Sequence, residues 1–157
     1  MTSPTSAGAT DTFQPPEGFQ LLRPIDGFIG VAGPYYRAAG GLYGFQSDAR
    51  HGNPNGVLHG GAILTFVDTV LGREVVKVTR RRCATVALNS QFMAAARPGD
   101  WIEAKVVIRK LTGSMAFVDA EVTAAGEPVL SATSIYRIFS AEIGAPSQAA
   151  PAAGATV

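Results

Sequence analysis

Apolar residues recur at helical spacing in one stretch of the chain. From Ile63 they fall at i, i+3, i+4, i+7 and i+8, as Ile63, Phe66, Val67, Val70 and Leu71, which is the buried stripe of an α-helix. The run opens after Gly60-Gly61 and is predicted to close near Val78, ahead of Arg80-Arg81-Arg82. Gly61, Thr65, Asp68 and Gly72 make a second stripe of small residues, and Asp68 is the only charge between Gly60 and Gly72. A helix apolar on one side and small on the other is expected to be covered nearly all round.

Elsewhere the period is two. Over 101–111, Ile102, Ala104, Val106 and Ile108 alternate with Trp101, Glu103, Lys105 and Arg109, the pattern of a half-buried antiparallel strand. A turn at Thr112-Gly113 leads into 114–124, where Ala116, Val118, Ala120 and Val122 alternate in the same way. A second turn, Ala125 to Pro128, leads into a less regular strand over 129–139. Upstream, 83–94 reads as a strand closed by Arg97-Pro98-Gly99-Asp100, and 35–37 with 42–47 as a hairpin around Gly40-Gly41. The order is two strands, one long helix, then three or four strands in a meander. One helix covers a five- or six-stranded antiparallel sheet only if the sheet curls around it, so the fold class is α+β.

Composition narrows the setting. Residues 1–19 and 141–157 are rich in Ala, Ser, Thr, Pro and Gly without periodicity, and are expected to be disordered tails around a single domain at 20–140. Charged residues make up 16% of the 157, well below the usual quarter or so. The sheet's outer face then needs another cover, and a second copy of the chain would supply it. A net charge of +1 argues against nucleic acid as partner. One cysteine and two histidines leave little for a disulfide framework or a zinc site, and no cofactor is expected. No apolar run is long enough for a membrane span and no secretory leader is visible, so a soluble, cytoplasmic protein without membrane partners is expected.

The chemistry is expected in the loop His51 to Gly61 and at Asp68. A Gly-rich segment opening a helix leaves backbone N–H groups unpaired and backed by the helix dipole, which suits an oxyanion or a polarised carbonyl. A carboxylate on a buried helix face is costly without partners, so Asp68 needs a hydrogen-bonding or catalytic role.

The run Asn53-Pro54-Asn55-Gly56-Val57-Leu58-His59-Gly60-Gly61-Ala62, with Asp68 seven residues after the second Gly of the pair, resembles the N-x-x-G-x-x-H-G-G…D signature of hot-dog-fold thioesterases of the phenylacetate-pathway, PaaI-like family. The resemblance covers about 30–140. It implies a hot-dog fold: one long helix wrapped by a curled antiparallel sheet. It also implies hydrolysis of an acyl-CoA or aryl-acyl-CoA thioester to free acid and CoA. In that reading Asp68 is the general base or nucleophile, Gly60 offers the N–H that polarises the carbonyl, and Asn53 holds the water or the substrate. Thr85 falls where relatives carry a Ser or Thr assisting the water, and His59 and Gly61 shape the substrate-binding loop. The family places its site between two subunits and commonly pairs dimers into homotetramers.

Other residues read more plainly. His51 reads as an ordinary loop residue, and Arg80, Arg81 and Arg82 as solvated surface or a contact for coenzyme A phosphates. Cys83 has no histidine nearby in sequence and is no candidate thiol nucleophile. No Gly-x-Ser-x-Gly elbow is present. Two other functions fit the same fold: an acyl-CoA hydratase or dehydratase, and a non-catalytic acyl-CoA-binding module. The first wants an acid close to His59 in the loop, and none stands there. Asp68 together with Asn53 speaks against the second.

Overall fold

The computed structural model describes residues 13–143, and the tail expectation over 1–12 and 144–157 lies outside the described residues. In chain order the elements are β1 (Gln20–Leu21), α1 (Gly27–Ala32), β2 (Tyr36–Arg37), β3 (Leu42–Gln46), α2 (Gly60–Thr79), β4 (Arg81–Phe92), β5 (Trp101–Leu111), β6 (Met115–Ala124) and β7 (Glu127–Glu142). The strands form one antiparallel sheet in the order β1-β2-β3-β5-β6-β7-β4. Among the described residues no helix is long and apolar enough to cross a membrane.

The period-two segments fold as their alternation dictates. Ile102, Ala104 and Val106 of β5, Ala116, Val118, Ala120 and Val122 of β6, and Leu130, Ala132, Tyr136 and Ile138 of β7 all face inward and are buried. The apolar stripe of α2 lies against this face, with Phe66, Val67, Val70, Leu71 and Val75 fully buried. Each such side chain contributes roughly 1.5–3 kcal/mol on burial, so this one contact holds the fold together. Ser134, also inward, spends its hydroxyl on the Ala87 carbonyl at 2.7 Å.

Four features depart from the sequence reading. The sheet has seven strands rather than five or six, because a two-residue β1 pairs with β2. Next, β4 is not part of the meander: it pairs with β7 at the far edge, while β5 pairs with β3. The helix crosses the face of the sheet and turns out of its axis at Arg80, in the left-handed region at φ 57°, so the chain re-enters at the opposite edge. The helix is also not covered all round. Its apolar stripe is buried, but Thr65, Asp68 and Gly72 are only half-buried and Gly61 is exposed in the single chain. Finally, Phe13 and Phe19, within the stretch read as a tail, pack on Trp101 with ring centroids 5.5 and 5.2 Å away. At the other end β7 runs on to Glu142.

A buried carboxylate that the apolar pattern did not single out sits on the helix. Glu74 accepts from the Tyr43 hydroxyl at 2.7 Å and from Lys77 Nζ at 3.1 and 3.2 Å. Burial first, then the bond to Glu74, pushes the Tyr43 phenol up. Tyr43→Phe should cost about 1.5 kcal/mol, because a hydrogen bond to a charged group is lost where water enters poorly. Urea denaturation reads this directly, and an unchanged midpoint would show that Lys77 alone satisfies Glu74.

Candidate active site

Two glycines at the start of α2 are explained by their neighbours. His59 is the N-cap, and its Nδ1 accepts from the Gly61 N–H at 2.9 Å. A Cβ on Gly61 would lie 3.0 Å from that Nδ1, and a Cβ on Gly60 would lie 3.1 Å from Cζ of Phe92. The first position must be small for the histidine to cap, the second for the Phe92 ring to lie over the helix end. The Ala62 and Ile63 N–H groups donate to the His59 carbonyl at 2.9 and 3.4 Å. Among the described residues nothing accepts from the Gly60 N–H. The expectation of several free donors therefore narrows to one, at Gly60, with the helix dipole behind it. Gly61, read as substrate-binding, has its N–H committed to His59, whose ring is tied to the cap.

The loop ahead of the helix is held from below by His51, which is buried rather than a plain loop residue. The Asp48 N–H donates to its Nδ1 at 3.0 Å, leaving Nε2, 2.9 Å from the Ala32 carbonyl, to donate there. The His59 N–H donates to the His51 carbonyl at 2.7 Å. Asn53 opens a tight turn: its Oδ1 accepts from the Asn55 N–H at 2.8 Å and its carbonyl from the Gly56 N–H at 3.0 Å. With Oδ1 so used, its amide N–H donors remain for another partner.

Asp68, more than two turns into α2, meets Thr85 on β4. The Thr85 hydroxyl donates to Asp68 Oδ1 at 2.7 Å. Sequence reasoning missed the third member, Tyr136 of β7, whose hydroxyl lies 2.8 Å from the Asp68 carbonyl oxygen and 3.1 Å from Oδ1. Burial pushes the Tyr136 phenol up, so it is a donor at any ordinary pH. Cys83 packs beside them with Sγ 3.7 Å from the Gly72 carbonyl. Burial, and then the charge of Asp68, pushes its thiol up, which suits a packing residue rather than a nucleophile.

These residues fall into two groups. Asp68, Thr85 and Tyr136, with Gly72, Cys83 and Ile29, line a hollow of about 360 Å³. Gly60, with Leu58, Ile63, Phe92, Met93 and Ala96, lines an apolar hollow of about 430 Å³, which shares no lining residue with the first. Of the three consecutive arginines, Arg81 is committed to the carbonyls of Phe139 and Gly113 at 2.6 and 3.0 Å, while Arg80 and Arg82 are exposed.

Residues 55–131 match the family model described as Thioesterase superfamily. The Pseudomonas aeruginosa protein named "Putative esterase PA0474" is 30% identical over 129 residues, 78% of this chain and 96% of that one. Among solved structures, Escherichia coli PaaI from the phenylacetic acid degradation operon superposes with a TM-score of 0.62 at 15% identity, over 69% of this chain and 75% of that one. A thioesterase-type protein of Streptococcus pneumoniae, solved with coenzyme A, gives 0.60 at 18% identity, over 78% and 90%. These two likenesses concern the fold, the hot-dog arrangement of one helix in a curled sheet. The chain belongs to the thioesterase superfamily and is a thioester hydrolase.

Proposed function

We propose that the chain hydrolyses acyl-CoA thioesters, with Asp68 as the catalytic carboxylate and the Gly60 N–H as the donor that polarises the carbonyl. One observation carries the reading. Asp68 is held through Oδ1, and among the described residues no hydrogen bond reaches Oδ2, which leaves that oxygen for substrate or water. As a general base, Oδ2 takes a proton from water while the water oxygen attacks the carbonyl carbon. The carbonyl oxygen gathers negative charge facing the Gly60 N–H. The C–S bond then breaks, and the proton on Asp68 passes to the departing thiolate. As a nucleophile, the same oxygen would attack the carbonyl carbon as the C–S bond breaks, giving the acyl anhydride and the thiolate. Water then cleaves the anhydride, which restores the carboxylate and supplies the thiolate's proton. Asn53, with its amide N–H groups unspent, holds the water or the substrate carbonyl. A thioester carbonyl is electrophilic enough for one carboxylate and one or two N–H donors to suffice. The coenzyme A in the Streptococcus pneumoniae structure supports the choice of thiol.

The reading includes a cytoplasmic dimer with sites at its interface, paired into a tetramer. Strand β4 supports the dimer: it is twelve residues long, lies at the edge of the sheet, and leaves Val86 59% and Phe92 49% exposed. Long apolar edges are normally paired or blunted. The apolar hollow beside Gly60 opens on this edge through Phe92 and Met93. Light scattering at micromolar concentration should give at least twice the 16.3 kDa chain mass, and a fully active monomer would rule the dimer out.

The activity is tested by thiol release from a panel of acyl-CoAs, from short and medium aliphatic to aryl-acetyl. Turnover of at least one at a rate far above background is expected. Tight binding of acyl-CoA without release across the panel would favour the binding module instead.

A further inference from the structure

The two hydroxyls on Asp68 come from one rung of the sheet. Thr85 and Tyr136 are cross-strand partners between β4 and β7. Immediately after Thr85 the register slips, so that Ala87 faces Ile135 and Val86 is the extra residue of a bulge. A bulge adds twist and re-aims the side chains beside it. Here the rung sits beneath Asp68, and both hydroxyls reach it. The Tyr136 ring gets there by lying along Gly72, one helical turn after Asp68, where a Cβ would stand 3.4 Å from Cε1 of the ring.

The single phenolic proton lies between two oxygens of one residue, the main-chain carbonyl at 2.8 Å and Oδ1 at 3.1 Å. It therefore ties the carboxylate to its own backbone. Thr85 donates to the same Oδ1 from the other strand. A carboxylate is acceptor only, so both hydroxyls spend their protons on it and neither has one left for substrate. The ring is 2% exposed, which keeps water from competing for that proton.

We propose that Tyr136 is a positioning residue for the hydrolysis: with Thr85 it pins Oδ1 of Asp68, fixes the rotamer of that side chain, and so presents Oδ2 to the reacting carbonyl. This rests on the assignment of Asp68 as the catalytic carboxylate. Tyr136 works through Asp68, whose carbonyl oxygen and Oδ1 share its one hydroxyl proton.

The test uses the best substrate of the acyl-CoA panel and compares wild type, Tyr136→Phe, Asp68→Asn and the double variant. Tyr136→Phe removes one oxygen and keeps the ring. It should lower kcat about tenfold with KM within twofold, since loosening a reacting group by a fraction of an ångström is felt in the chemical step. In the Asp68→Asn background the same change should lower the residual rate no further, because the hydroxyl has no carboxylate left to aim. A residue that only supports the fold would lower the denaturation midpoint and leave kcat per folded molecule alone. That outcome overturns the proposal, as does a further tenfold loss in the double variant. If Tyr136→Phe does not fold, Tyr136→Met removes the same donor and is read the same way. Near-normal turnover by Asp68→Asn would instead remove the Asp68 assignment and this proposal with it. An inactive Asp68→Asn beside a normal Tyr136→Phe removes this proposal alone.

Discussion

Asp68→Asn is expected to lower thioester hydrolysis by about 10²- to 10⁴-fold, the usual worth of a positioned general base, while leaving the protein folded. The side-chain amide keeps the shape of the carboxylate, and its oxygen still accepts from Thr85 and Tyr136, which stand 2.7 and 3.1 Å from Oδ1. What changes is the other position. An N–H₂ group replaces Oδ2, and it neither takes a proton from water nor attacks a carbonyl. The loss should therefore fall on kcat. Thiol release measured at saturating acyl-CoA reads the rate, and urea denaturation reads the fold. A variant with near-normal kcat would end the assignment, because among the described residues no other carboxylate lines that hollow. Cys83, which does line it, has its thiol pushed up by burial and by the neighbouring Asp68 charge, so it is no substitute nucleophile.

The parts of the fold that local pattern controls were legible in the chain. Alternation placed β5 at Trp101–Leu111 as expected and β6 within one residue, since a period of two admits one inward face. The helix was visible from Ile63, but its true start at Gly60 is set by the His59 cap, which no apolar period reports. Strand order was not legible. The pairing of β4 with β7 and of β3 with β5 is fixed by where the helix deposits the chain, and both pairs are distant in sequence. The cover expected all round the helix is not supplied by the single chain, for a related reason. The stripe of Thr65, Asp68 and Gly72 looks fit for burial by size alone, yet the chain's own sheet reaches only the apolar side.

The site was readable to the same extent. Asp68 stood out as a lone charge, and the Asn53 to Gly61 run as a donor-rich entry to the helix. The Thr85 hydroxyl stands 2.7 Å from Asp68 Oδ1, a pair that only the family resemblance had brought together beforehand. Tyr136 was hidden because its position in β7 is simply the inward phase, shared with Ala132, Ser134 and Ile138. One signal could have found it: a buried tyrosine needs a partner for its hydroxyl, and the helix stripe opposite offered a carboxylate. That His59 takes the N–H of Gly61 was not legible either, because a pair of glycines before a helix does not say which N–H the preceding side chain will take.

The separation of the two half-sites leads to the other large effect. Gly60 and Asp68 are eight residues apart on one helix, about 12 Å of rise at 1.5 Å per residue. That is long for one thioester carbonyl to face the Gly60 N–H while its carbon meets a water on the same chain's Asp68. In the single chain the two residues also line separate hollows. A two-fold axis that sets two copies of α2 side by side and antiparallel would bring the loop of one protomer opposite the Asp68 of its partner. Each dimer would then hold two composite sites, with Asn53 and Gly60 from one chain and Asp68 and Thr85 from the other. Asn53→Ala and Asp68→Asn should each be nearly inactive alone. Unfolded together and refolded as an equal mixture, they should regain activity that neither has. Every hybrid dimer then carries one doubly damaged site and one intact site. Random pairing makes about half of the dimers hybrids, so roughly a quarter of wild-type activity should return. The rate should follow the product of the two mole fractions and peak at the equal mixture. Sites built within one chain would give no recovery at any ratio. That result would leave Asp68 as the carboxylate and move its carbonyl donor to some other N–H on the same chain.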